Sequence, residues 1–137
     1  MTYTALTSIV TPPGLLTMGH SVFLGCTGLT SVTLTYGLPS IGANTFQDCN
    51  ELTSIGIPGS VTTIGASAFN DCVKLISVAL ADGLQNIGPN AFFSCNQLPS
   101  ITIPATLTEI GNGAFISCVE LTSVTFSALS VLHTFSV

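Results

Sequence analysis

The chain is 137 residues long and 47% hydrophobic, with six acids against one cation, Lys74, for a formal charge of −5. Only 5% of its residues are charged, against roughly 25% in an ordinary soluble domain. This balance excludes a phosphate-tracking nucleic-acid surface and a disordered chain, and no apolar run reaches the ~18 residues of a membrane-spanning helix.

One period organises the rest. Cys26, Cys49, Cys72, Cys95 and Cys118 are each 23 residues apart, and Phe23, Phe46, Phe69, Phe92 and Phe115 keep the same step. So do Gly19, Gly42, Gly65, Gly88 and Gly111, the leucines from Leu6 to Leu121, and the serines from Ser8 to Ser123. Several registers sharing one period without insertion make an internal repeat. In chain order, a half repeat (residues 1–14) precedes five 23-residue repeats (15–129) and a tail (130–137), which together form a single solenoid domain.

Each repeat divides into two halves. The first strand is predicted over Leu6–Thr11, with counterparts at Leu29–Leu34, Leu52–Ile57, Leu75–Leu80, Leu98–Ile103 and Leu121–Phe126. In each, apolar residues alternate with small or hydroxyl residues, the pattern of a strand buried on one side. Pro12, Pro58 and Pro104 follow, and a residue without an N–H cannot extend a ladder. An apolar pair comes next (Val61 and Ile64, Leu107 and Ile110), then the recurring glycine, which suggests a corner at positive φ. Ser21, Asn44, Ser67, Asn90 and Gly113 are residue types favoured at a helix N-cap. A short helical turn is therefore expected after them, placing Phe and Cys on one inward face. Such a unit cannot bury its apolar side alone, whereas stacked copies can. The expected fold class is an α/β solenoid, with a parallel β-sheet on one flank and short helical turns opposite.

The repeat Leu52 to Lys74 reads L-T-S-I-G-I-P-G-S-V-T-T-I-G-A-S-A-F-N-D-C-V-K. Its Ile-Gly, Ala-Phe and Cys positions within a 23-residue period resemble the BspA-like class of leucine-rich repeat. The resemblance spans about Leu6 to Phe126. It implies a leucine-rich-repeat solenoid of five to six repeats without catalytic residues. It also implies membership among microbial surface or secreted proteins that adhere to host molecules or other cells. An extracellular or cell-surface location follows from the resemblance, although the opening residues lack the basic start and apolar run of a secretory signal.

Candidate chemistry is sparse. Metal sites need ligands that converge on a point, while these cysteines form a line, one per turn. They suit the core, and a single lysine cannot activate five thiols. His20 and His133 are isolated and suit a titrating surface role. Asp48 and Asp71 occupy equivalent places in adjacent repeats, but two carboxylates fall short of the oxygen shell that calcium takes. Glu51 and Lys74 are one turn apart and suit a surface pair. No catalytic, cofactor or metal site is expected, and hydroxyls spread as ladders do not assemble an enzyme pocket.

The outward strand positions remain. They are Ser8 and Val10, Ser31 and Thr33, Ser54 and Gly56, Ser77 and Ala79, Ser100 and Thr102, and Ser123 and Thr125. They form a flat, uncharged strip, and the ten positions from Ser31 to Thr125 are the expected binding face for another protein or a further copy. Gly56 and Ala79 interrupt the Thr-x-Thr array an ice-binding surface would need. Neither end shows a polar cap, so self-association through the ends, possibly as a filament, is expected. The alternative is an adhesion fragment of a larger microbial surface protein contacting host or matrix molecules.

Overall fold

A strand whose apolar residues alternate with serine or threonine can bury one face only, and a four-residue strand buries too little to stand alone. The computed structural model describes residues 5–127 and the segment 134–135, and in it each such strand lies against its copy from the neighbouring repeat. One flank carries β1 (Ser8–Val10), β2 (Ser31–Thr33), β4 (Ser54–Ile57), β6 (Ser77–Leu80), β8 (Ser100–Ile103) and β10 (Ser123–Phe126). Pairing is parallel, with partners 23 residues apart: Ser8 faces Ser31, Ile55 faces Val78 and Ile101 faces Val124. In β4 and β8 burial alternates strictly, so that Ile55, Ile57, Ile101 and Ile103 enter the core while Ser54, Gly56, Ser100 and Thr102 face out. Pro58 and Pro104 immediately follow these two strands.

A second parallel sheet lies on another flank, which the sequence reading does not anticipate. It is built from two-residue strands: β3 (Ser40–Ile41), β5 (Thr63–Ile64), β7 (Asn86–Ile87), β9 (Glu109–Ile110) and β11 (Thr134–Phe135). Ile41, Ile64, Ile87 and Ile110 are its buried members. β11 pairs with β9 at a separation of 25 residues, two more than the repeat. The tail thus lays backbone over the last β9 turn; its other residues lie outside the described ones, as does His133.

The short helical turns expected opposite the sheet are not formed, and no helix occurs among the described residues. The residues read as N-caps are instead left-handed: Ser21, Asn44, Ser67, Asn90 and Gly113 have φ between 55° and 71°. Four residues later the chain turns left-handed again, at Gly25, Asp48, Asp71, Ser94 and Ser117. Gly, Asn, Asp and Ser tolerate this region better than bulkier residues, and two reversals per repeat prevent a helix from propagating. The resulting arc satisfies its backbone along the solenoid axis. Asn44, Phe46 and Asp48 donate their N–H groups to the carbonyls of Ala66, Ala68 and Asn70 at 2.8–2.9 Å, and every following arc but the last repeats the pattern.

The recurring glycine also differs from expectation. Gly19, Gly42, Gly65, Gly88 and Gly111 are absent from the positive-φ positions. Glycine is needed there because adjacent turns nearly touch: a Cβ on Gly65 would lie 2.6 Å from Ala43 N and 2.7 Å from Gly42 C.

Between the flanks runs one continuous core. Phe46, Phe69 and Phe92 are fully buried, and the five phenylalanines stack with ring centroids 5.2–5.4 Å apart and interplanar angles of 15° or less. Each fully buried ring contributes about 1.5–3 kcal/mol by removal from water.

Gly65→Ala is expected to destabilise the fold by about 1–3 kcal/mol, because the new methyl meets backbone that cannot rotate away. Gly56→Ala, which meets nothing within 4 Å, should be close to neutral. Urea unfolding midpoints at unchanged slope compare the two.

Candidate interaction face and its buried ladders

The strand register lines up the outward residues into two columns. One column holds Ser31, Ser54, Ser77, Ser100 and Ser123, and the other Thr33, Gly56, Ala79, Thr102 and Thr125. All ten are exposed, as are Ser8 and Val10 at the amino-terminal edge. The expected positions are therefore brought onto one surface, and none carries a charge. The hydroxyls of Thr102 and Thr125 bond each other at 2.9 Å, so neighbouring turns fix one another's side chains on this surface.

The interruption at Gly56 and Ala79 has a consequence in three dimensions. Missing side chains there leave a shallow depression of about 370 Å³, lined by Leu34, Gly56, Ile57, Pro58, Ala79, Leu80 and Ala81. Its lining is apolar apart from backbone, and it opens on the uncharged face. The sequence signal for it was two small residues in successive positions of one column, weighed only as a defect in a hydroxyl array.

Behind the face, the thiols form a hydrogen-bonded ladder. The Sγ of Cys49, Cys72, Cys95 and Cys118 donates to the carbonyl of Phe23, Phe46, Phe69 and Phe92 respectively, at 3.1–3.4 Å. All five cysteines are buried and free. Burial pushes the Cys49 thiol up to about 12 and the Cys72 thiol well above its ordinary value. Hydrogen bonding to Cys118 and then burial raise Cys95, while the same bond lowers Cys118 at the open end of the ladder.

The remaining polar groups form no site. Asp48 and Asp71 sit in the arc; burial and then the charge of Asp71 raise the Asp48 carboxyl, against a hydrogen bond from Gln47 that lowers it. Among the described residues no three His, Cys, Asp or Glu side chains converge to hold a metal. Lys74 Nζ bonds both carboxylate oxygens of Glu51 at 2.8 Å, an exposed pair of the kind that contributes little. His20 accepts through Nδ1 from the Ala43 N–H at 2.9 Å, a turn-to-turn bond rather than a catalytic one.

With this geometry established, comparison with known proteins becomes informative. Six copies of the BspA type leucine rich repeat region match residues 2–122. The chain belongs to the BspA-type leucine-rich repeat family. Among solved structures, this BspA-type chain is similar to the leucine-rich repeat protein of T. pallidum, with 35% identity and a TM-score of 0.83 over 87% of this chain and 58% of that one. A leucine-rich repeat protein from Bacteroides ovatus is 31% identical, with a TM-score of 0.81 over 92% of this chain and 38% of that one. A leucine rich cell surface protein from Faecalibacterium prausnitzii is 30% identical, with a TM-score of 0.65 over 88% of this chain and 39% of that one. The BspA-type repeats here thus span 58% or less of the length of these relatives. The comparison with curated proteins finds no match. No helix among the described residues is long and apolar enough to cross a membrane.

The thiol ladder sets a pH dependence. Burial holds the thiols neutral, so their contribution to stability is complete below the unfolded thiol value of about 8.5 and is lost as pH rises toward the folded values. Unfolding followed by circular dichroism should show stability falling steadily above that point. In alkylation of the native chain followed by peptide mapping, Cys118 should react before Cys72 and Cys95.

Proposed function

We propose that the chain is a non-catalytic interaction module that docks another protein on its uncharged sheet face. The observation that carries this reading is the face itself: two exposed columns in 23-residue register, without a charge, around an apolar depression. A surface of small side chains held by backbone ladders loses little conformational freedom on binding, which favours a broad, flat contact. The hydroxyls supply hydrogen bonds, and the depression accommodates one apolar side chain of the partner. Membership in a repeat family without enzymatic activity supports the absence of catalysis. The likeness to a cell surface protein supports adhesion to host or matrix molecules as a form this docking takes.

A second reading, self-association through the ends, has its own support. Of the eleven exposed large hydrophobic residues among the described residues, nine lie in the first or last turn. They include Val10 and Leu16 at one end and Val119 and Phe126 at the other, whereas only Tyr36 and Ile76 lie between. Val124 and Phe126 occupy the inward positions of β10 yet are 42% and 52% exposed, while their counterparts Ile101 and Ile103 are buried. A second copy that adds β1 beside β10 would continue the sheet and cover this core, in the head-to-tail manner that extends into filaments.

Both readings are tested with the same variants. Binding to immobilised extracellular-matrix glycoproteins should fall about tenfold or more on Ala79→Arg, which fills the depression with a charge, and should be unchanged on Ser94→Arg in the arc. Equal binding by both variants would contradict docking on the face. Sedimentation across a wide concentration range should show mass growing with concentration, reduced by Phe126→Lys and unaffected by Thr33→Lys. A monomer throughout would contradict end-to-end association and leave docking on the face standing.

A further inference from the structure

The arc's axial hydrogen bonds stop at one corner, and that corner holds a chemically distinctive pair. Ser21, Asn44, Ser67 and Asn90 donate their N–H groups to the carbonyls of Ala43, Ala66, Pro89 and Asn112 at 2.8–3.0 Å. Gly113 is the fifth member of this series, and its N–H has no acceptor among the described residues. The residue before it is Asn112, which is exposed, and the two make the chain's one Asn-Gly sequence. A glycine nitrogen carries no neighbouring Cβ to hinder its approach to the preceding side chain. A backbone N–H already bonded to a carbonyl, by contrast, is held away from other chemistry.

We propose that Asn112–Gly113 is a deamidation site of the folded protein. The Gly113 nitrogen gives its proton to a solvent base and attacks Cγ of Asn112, forming an N–Cγ bond. The Cγ–Nδ2 bond breaks and ammonia leaves, taking up a proton from solvent, which closes a five-membered imide. Water then adds to either imide carbonyl and opens the ring to aspartate or isoaspartate. No oxidation or reduction occurs, and water is the only co-reactant. The product adds a negative charge to a chain at −5. The isoaspartate form also lengthens the backbone by one methylene, just before a glycine held at φ 71°.

The molecule contains its own control. Asp82–Gly83 has the same capacity to cyclise, in that case with loss of water, but the Gly83 N–H donates to Thr106 Oγ1 at 2.9 Å. The state of the glycine nitrogen therefore separates the two pairs: Asn112 converts and Asp82 is protected.

Cleavage after glutamate isolates the site, because Glu109 and Glu120 bound a peptide of residues 110–120 in which Asn112 is the one asparagine. The full chain is incubated in mildly alkaline buffer, native and denatured, and the peptides are compared by mass and chromatography. In the native chain, 110–120 should split into two products one mass unit heavier, at a rate within about threefold of the denatured chain, since that nitrogen is not tied in the fold. Asn70, Asn86, Asn90 and Asn96, on the peptide from residue 52 to Glu109, should remain intact. Thr106→Val should release the Gly83 nitrogen and produce isoaspartate at Asp82, while Thr106→Ser should not. Native conversion about tenfold or more below the denatured rate, which is the mark of protection by folding, would overturn the proposal. So would conversion of Asn90 as fast as Asn112, or an Asp82 indifferent to Thr106→Val.

Discussion

Everything in this molecule depends on contact between one turn and the next. A single 23-residue turn closes neither its apolar side nor its backbone: Phe69 packs on Phe46 and Phe92, and the Phe69 N–H is satisfied by Ala91 of the following turn. The same dependence appears in the thiols, which bond the phenylalanine carbonyl of the preceding turn. It appears again in the glycines, which exist so that the turns can approach this closely. Identical residues at identical positions follow from that requirement, since a ladder holds only when each rung matches its neighbours.

The columns that face inward and those that face outward solve different problems. Inside, volume must be filled at every rung, so Phe, Cys, Leu and Ile barely vary. Outside, the face strands need only avoid steric conflict, and the second column runs Thr33, Gly56, Ala79, Thr102, Thr125. Its two small members open the depression floored by Leu34, Ile57 and Leu80. Variation on the face therefore changes its shape without disturbing the scaffold, which is the property an interaction surface requires.

Much of the fold was legible in the sequence because the signals were long and repeated. Six alternations of period two marked the face strands, and five phenylalanines in step marked the spine. The second sheet was not legible, because strands of two residues cannot display an alternation. The arc was misread for a chemical reason: Ser21, Asn44, Ser67 and Asn90 are residue types suited both to capping a helix and to a left-handed backbone. The discriminating signal lay four residues on, in the recurrence of Gly25, Asp48, Asp71, Ser94 and Ser117, a second set tolerant of positive φ. The role of Gly65 had no sequence signature at all, since freedom of φ and lack of a side chain are the same residue on paper. Of the candidate face, the outward positions were readable, but the depression was not, because its floor is formed by strand ends that meet only after the turns have stacked.

The central claim is that adjacent turns satisfy one another, and amide hydrogen exchange of the native chain tests it most directly. The account requires the amides of Phe46 and Phe69, bonded to the next turn and covered on both sides, to be among the slowest to exchange, while that of Phe115, with no carbonyl from a further turn, exchanges far faster. An amide of Phe69 that exchanged as rapidly as that of Phe115 would show that the turns do not close on one another in this way.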